Sequence, residues 1–187
     1  VGSIAVILHY VMQLKGNLAD PLRHHARYRA HESALIDGDR RITYGELDAL
    51  VDRGARALIA AWHEVIGLGR SERTARRLFP ALSWHFADLN HMTRPADWTV
   101  ALHGVDAVVN ASGALQSGGG ERLEAIQGAS IAALIDACAA QGIARFIQMS
   151  APRATAKDAS PFLSTKAVAD DHLRASALHW AILRPGL

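Results

Sequence analysis

Val105-Asp106-Ala107-Val108-Val109-Asn110-Ala111-Ser112-Gly113 is the stretch that decides how this chain is read. A short, nearly continuous apolar run marks a strand buried on both faces, and the small residues that end it suit a backbone that must come close to a ligand. The same alternation recurs on either side. His63-Glu64-Val65-Ile66-Gly67-Leu68 and Ser83-Trp84-His85-Phe86-Ala87 read as strands upstream, Arg145-Phe146-Ile147-Gln148-Met149 and Trp180-Ala181-Ile182-Leu183 as strands downstream. Helical spacing fills the gaps, the longest from Glu121 to Gln141, where Ile131, Leu134, Ile135 and Cys138 share one face. Strands buried on both faces and separated by helices predict a parallel sheet with right-handed crossovers, the doubly wound α/β architecture.

In such a sheet a ligand lies beyond the carboxyl ends of the strands, so the residues that follow each strand carry the function. Those are Arg70, Asp88, Asn110 to Gly113, Ser150 and Pro185, with Lys166 on a helix that also holds Phe162. Four residues of separation puts Phe162 and Lys166 on one helix face.

The composition sets outer bounds. The 187 residues are 50% hydrophobic and 20% charged, ordinary for a globular chain. A net charge of +2 and scattered arginines without interleaved aromatics speak against nucleic acid as a partner. Cys138 stands alone, which excludes an internal disulfide and fits a reducing, cytoplasmic location. Val1 to Leu14 is apolar but shorter than the ~20 residues of a membrane span, and no membrane association is expected. The ten histidines show no companion Cys or Glu at ligand spacing, so no metal is expected.

The first third is patterned differently. Leu18, Leu22 and Ala26 have helical spacing, and Ala34-Leu35-Ile36 and Arg41-Ile42-Thr43-Tyr44 flank Asp37-Gly38, a hairpin signal. Thr43-x-x-Glu46 is a capping box, followed by Leu47, Leu50, Val51 and Leu58 at helical spacing. The order is helix, hairpin, helix. With Asn17-Leu18-Ala19-Asp20, Ala34-Leu35-Ile36-Asp37-Gly38 and Ile42-Thr43-Tyr44-Gly45-Glu46-Leu47-Asp48, this segment resembles the N-terminal edge of acyl-adenylate-forming synthetases, the acyl-CoA ligase superfamily. The resemblance implies a structural edge only, since that family's adenylate-site motifs come later in its sequence and do not appear here.

From about Trp62 to Leu187 the order of motifs resembles the short-chain dehydrogenase/reductases, in their extended or atypical, epimerase/dehydratase-like branch. The resemblance implies a nicotinamide dinucleotide ligand and assigns roles. Arg70, with Ser71 beside it, would meet the adenosine ribose and tilt the preference towards NADP, or be a solvated arginine. Asp88-Leu89 would meet the adenine amino group, or Asp88 would serve as a helix cap. Asn110, Ala111, Ser112 and Gly113 would line the cofactor. Ser150 would polarise a substrate oxygen, Lys166 would bind the nicotinamide ribose, and Pro185, in Arg184-Pro185-Gly186, would stand beside the nicotinamide.

Two parts of that frame are missing. Phe162 occupies the place of the family's tyrosine acid, and a phenyl ring has no ionisable hydrogen. No strand with a Gly-x-x-Gly-x-x-Gly turn precedes His63, and Gly67-Leu68-Gly69-Arg70-Ser71-Glu72 belongs to the second strand. The expected fold is therefore an incomplete doubly wound sheet with a helix-hairpin-helix appendage: an apolar lead segment over 1–16, the synthetase-like segment over 17–60, and a Rossmann-like NAD(P)-binding domain over 61–187 without its first strand. Ile4-Ala5-Val6-Ile7-Leu8 has the length and character to fill the gap. The change of resemblance between Arg53 and His63 suggests a chimeric gene product. The expected function is NAD(P) binding with impaired or absent catalysis. The alternatives are an active oxidoreductase or epimerase using Ser150 and Lys166 on an unidentified small molecule, or an interaction module that takes a protein partner at an exposed sheet edge.

Overall fold

The computed structural model describes residues 3–7, 31, 33–37, 40–43, 64–112, 122–152, 154–157 and 160–184. Six strands form one parallel sheet: β1 (Ser3–Ile7), β4 (Glu64–Gly69), β5 (Ser83–Phe86), β6 (Ala107–Asn110), β7 (Arg145–Met149) and β8 (His179–Leu183). Their spatial order is β5-β4-β1-β6-β7-β8. Strand order reverses between β1 and β6, which places the topological switch point there. The predicted hairpin, β2 (Ser33–Asp37) against β3 (Arg40–Thr43), is a separate two-stranded antiparallel sheet. The helices expected over 17–30 and 43–60 lie outside the described residues.

The segment from residue 61 onward supplies five strands, and the lead segment supplies the sixth. Ser3-Ile4-Ala5-Val6-Ile7 pairs in parallel with β4 on one side and β6 on the other, so the gap expected at the sheet centre is filled from the far N-terminal side. Continuous apolar, largely β-branched sequence is what a doubly flanked central strand requires, and Ile4 and Ala5 are buried. Its start is pinned by Asp106, whose Oδ2 accepts from the Ser3 N–H at 2.6 Å and whose N–H donates to the Ser3 carbonyl at 2.7 Å.

Three α-helices are described: α1 (Glu72–Leu78), α2 (Ser130–Ala140), which continues a π-helical stretch over Glu124–Ala129, and α3 (Pro161–Ala175). Ala5, Leu68, Val108 and Phe146 from the sheet meet Ile131, Leu134, Ile135 and Cys138 of α2 and Leu173 of α3, with Leu89, Trp98 and Leu102 filling the same core. The end of α2 is set by Gly142 at φ +75°, a left-handed position that favours glycine. The Gly142 N–H donates to Ala139 and the Ile143 N–H to Cys138, turning the chain into β7 and satisfying two carbonyls of the last turn.

At the other edge, Gly67 of β4 lies opposite Trp84 of β5, and a Cβ at Gly67 would meet the indole at 2.5 Å. The indole cannot move away cheaply, because its Nε1–H donates to the Phe79 carbonyl at 3.1 Å and its ring stacks on Phe86. Gly67→Ala is expected to destabilise the chain by about 1–3 kcal/mol through overpacking. Chemical denaturation should show the loss. In a chain that already carries Trp84→Ala, the same glycine substitution should cost much less.

Candidate functional site

The carboxyl ends of β6, β7 and β8 converge on one face of α3. Asn110, the last residue of β6, lies in register with Gln148 of β7; both are buried, and Asn110 Nδ2 donates to Gln148 Oε1 at 2.8 Å. Asn110 Oδ1 accepts from the Ser112 N–H at 3.1 Å and from Ser112 Oγ at 2.6 Å. The side chain thus fixes the turn just after the strand, as asparagine does when it mimics a backbone turn. Ala111 is exposed beside it, and Gly113 lies outside the described residues.

Lys166 reaches this turn from α3. Its Nζ donates to the Ser112 carbonyl at 3.2 Å and to the Met149 carbonyl at 2.9 Å, tying the end of β6 to the end of β7. Only 7% of the residue is exposed, and that burial pushes the ammonium pKa down to about 8, against the opposing pull of Asp170. An ammonium has three hydrogens, and among the described residues the third has no protein acceptor. A ligand hydroxyl or carbonyl oxygen is the group that fits it.

One turn further along α3 is Asp170, completely buried. Its Oδ2 accepts from Ser150 Oγ at 2.7 Å and from Arg184 Nη2 at 2.8 Å, so it joins the residue after β7 to the residue after β8. Among the described residues, Asp170 Oδ1 takes no hydrogen bond. Ser150 is itself buried, and its single hydroxyl hydrogen is committed to Asp170, which leaves it acceptor lone pairs but no donor. Phe162, one turn before Lys166, packs with Leu163 against Ala151, Ala154 and Ala167, so an apolar cluster occupies the position where the resemblance asks for an acid.

The other half of the expected site lies past β4 and β5. Arg70 and Ser71 are exposed between β4 and α1, and the Ser71 carbonyl accepts from the Ala75 N–H as the helix begins. Asp88 is partly exposed, and its Oδ1 accepts from the N–H and Nδ2 of Asn90 at 2.9 and 3.0 Å. Asn90 in turn holds Arg122, through its Oδ1 and its carbonyl. Leu89 is fully buried in the main core. Pro185 lies outside the described residues. The described residues therefore group Asn110, Ser112, Ser150 and Lys166 at one side of the switch point and Arg70, Ser71 and Asp88 at the other.

Sequence reasoning missed Gln148, Asp170 and the anchoring role of Arg184. The signal was present for Asp170: it stands four residues after Lys166, on a face otherwise made of Ala167, Ala169 and Leu173. A carboxylate in that stripe has to find a cationic or hydrogen-bonding partner.

Lys166 and Cys138 have opposite effects on the pH dependence of stability. The folded chain holds the Lys166 proton more weakly than the unfolded chain, whose value is 10.5, so stability should rise as pH climbs through 8. The buried Cys138 thiol is pushed up to about 12 from 9.0, so its contribution falls only above pH 9. Between about pH 7.5 and 9 the unfolding free energy is expected to increase by roughly 1 kcal/mol, and Lys166→Met should flatten that rise. Denaturant titrations across this interval check it.

A family model described as NAD(P)H-binding matches residues 53–187. No curated protein sequence matches the chain. Among solved structures, the fold is similar to a putative NAD-dependent epimerase/dehydratase from Bacillus halodurans, at 21% identity and a TM-score of 0.60, covering 99% of this chain and 71% of that one. It is also similar to the Bordetella bronchiseptica enzyme WbmH in complex with NAD+, at 12% identity and 0.59, covering 98% and 55%. A third likeness is to the Thermus thermophilus UDP-glucose 4-epimerase complex with NAD, at 17% identity and 0.56, covering 70% and 49%. The chain spans about half the length of the last two proteins.

Proposed function

The chain belongs to the NAD(P)H-binding family, and from that premise we propose that it binds a nicotinamide dinucleotide while lacking the proton-transfer step of an active oxidoreductase. The observation that carries this is the pair of positions that should donate a proton. Phe162 is built into an apolar cluster, and Ser150 has turned its only hydroxyl hydrogen inward to Asp170. Neither residue offers a hydrogen to a carbonyl oxygen of a substrate. Lys166 remains suited to a ribose hydroxyl, because one of its hydrogens is unused by the described protein acceptors. Arg70 beyond β4 supports NADP over NAD, since a guanidinium there can neutralise a 2′-phosphate.

A second element of the proposal concerns origin. The family match begins at residue 53, the near edge of the interval in which the resemblance changes, and the hairpin β2–β3 stands apart from the parallel sheet. Both support a chimeric gene product. Sequencing of the intact locus should then show a junction near codon 53, and a locus with homogeneous flanking sequence would remove the idea.

Calorimetric titration of the folded chain with NADPH and with NADH is expected to give saturable binding, tighter for NADPH. Absence of binding by both would count against a dinucleotide ligand. With UDP-glucose as probe, bound NAD+ should stay unreduced. Turnover at ordinary enzymatic rates, about 1–1000 per second, would overturn the impairment.

A further inference from the structure

The loop after β5 carries a relay of hydrogen bonds whose direction is set from outside the loop. Arg122, at the head of the helical stretch that follows β6, is held against this loop although β4 and β1 separate β5 from β6 in the sheet. Its main-chain N–H donates to Asn90 Oδ1 at 3.1 Å, and its Nη2 donates to the Asn90 carbonyl at 3.1 Å. A main-chain N–H can only donate, so the oxygen end of the Asn90 amide turns to Arg122 and the nitrogen end turns away from it. There it meets Asp88, whose Oδ1 accepts from Asn90 Nδ2 at 3.0 Å and from the Asn90 N–H at 2.9 Å. The last torsion of an aspartate is broad, and two donors from one residue on one oxygen fix it.

Asn90 is only 5% exposed, so the relay is built inside the chain, whereas the Asp88 side chain is 31% exposed. Among the described residues Asp88 Oδ2 takes no hydrogen bond, and His91 Nδ1 stands 3.9 Å from it. A carboxylate oxygen accepts and never donates. At the carboxyl end of β5, on the edge where a doubly wound sheet takes its ligand, it suits a group that brings hydrogens. Adenine brings the two of its exocyclic amino group. Hypoxanthine presents a carbonyl oxygen at the same place and meets the carboxylate with repulsion. Resting on the proposed dinucleotide reading, we infer that Asn90 is a positioning residue for the base of the ligand: with its amide turned by Arg122, it holds Asp88 so that one carboxylate oxygen faces the base, and the site selects adenine over hypoxanthine. Asp88 touches the base, Asn90 acts through Asp88, and Arg122 acts through Asn90.

The relay has a sharp consequence for Asp88→Asn, a nearly isosteric change. The amide placed there has to offer its oxygen to the two Asn90 hydrogens, which turns its NH2 towards the base. A donor then stands where an acceptor stood, and the purine preference inverts. Calorimetric titrations of the full chain with NADPH and with its hypoxanthine counterpart read this as a ratio of dissociation constants. The unsubstituted chain is expected to bind the adenine form at least about tenfold tighter, and Asp88→Asn to bind the hypoxanthine form about tenfold tighter. Adding Asn90→Ala to Asp88→Asn removes one of the two orienting bonds, and the inverted preference should shrink to about threefold or less. A role of Asn90 in stability alone would weaken both ligands together and leave the ratios unmoved. The inference is overturned if Asp88→Asn does not invert the preference, or if an inversion of undiminished size survives Asn90→Ala. Equal binding of the two forms by the unsubstituted chain overturns it as well, and in that case the dinucleotide reading stands. If neither form binds a chain that is folded by circular dichroism, the dinucleotide reading itself fails. Should Asn90→Ala prevent folding, the presence or absence of the inversion in Asp88→Asn alone decides.

Discussion

Two opposite charges one helical turn apart, Lys166 and Asp170, hold the ligand end of this sheet together. Taking either out of water costs several kcal/mol unless hydrogen bonds and the partner charge offset it. Lys166 recovers part of that cost from the Ser112 and Met149 carbonyls, Asp170 from Ser150 and Arg184. In doing so they fasten the ends of β6, β7 and β8 to a single helix. The compensation is uneven, since one Asp170 oxygen takes no bond among the described residues while Arg184, 34% exposed, keeps contact with solvent. The arrangement favours one geometry of the strand ends over others, which is the property a binding edge needs more than it needs stability.

That clamp also draws in Ser150 and is bordered by Phe162. A serine that gives its hydrogen to a buried carboxylate completes the clamp, and a phenylalanine on the preceding turn extends the apolar packing around it. Arg70, Ser71 and Asp88, on the other side of the switch point, follow a different pair of strands, β4 and β5.

Much of the fold was legible because burial on both faces leaves continuous apolar runs such as Val65 to Leu68 and Ala107 to Val109, and because Ile131, Leu134, Ile135 and Cys138 announce α2 by their period, although that period did not show that Glu124–Ala129 is π-helical. The hairpin was legible from Asp37-Gly38 alone. The sheet centre was harder. Ile4 to Leu8 read as a candidate by character, but sequence distance hid its partners, since nothing local says that Ser3 will meet Glu64 and Asp106. At the site, Asn110, Ser112 and Lys166 came from motif order, whereas the direction of the Ser150 hydroxyl was invisible. A motif specifies the residue at a position, and its rotamer depends on whichever buried partner, here Asp170, competes for it.

The placement of β1 has a consequence for how the chain comes to be folded. The strand that every other part of the sheet flanks is the first of the six to leave the ribosome, yet its neighbours in the sheet lie 61 and 103 residues downstream. Contacts of such long range close late and slowly, because loop entropy must be spent before pairing returns anything. The growing chain thus carries an apolar, β-prone segment without both of its sheet neighbours until β6 has been made, and in that interval it is most exposed to capture by other chains or by a chaperone.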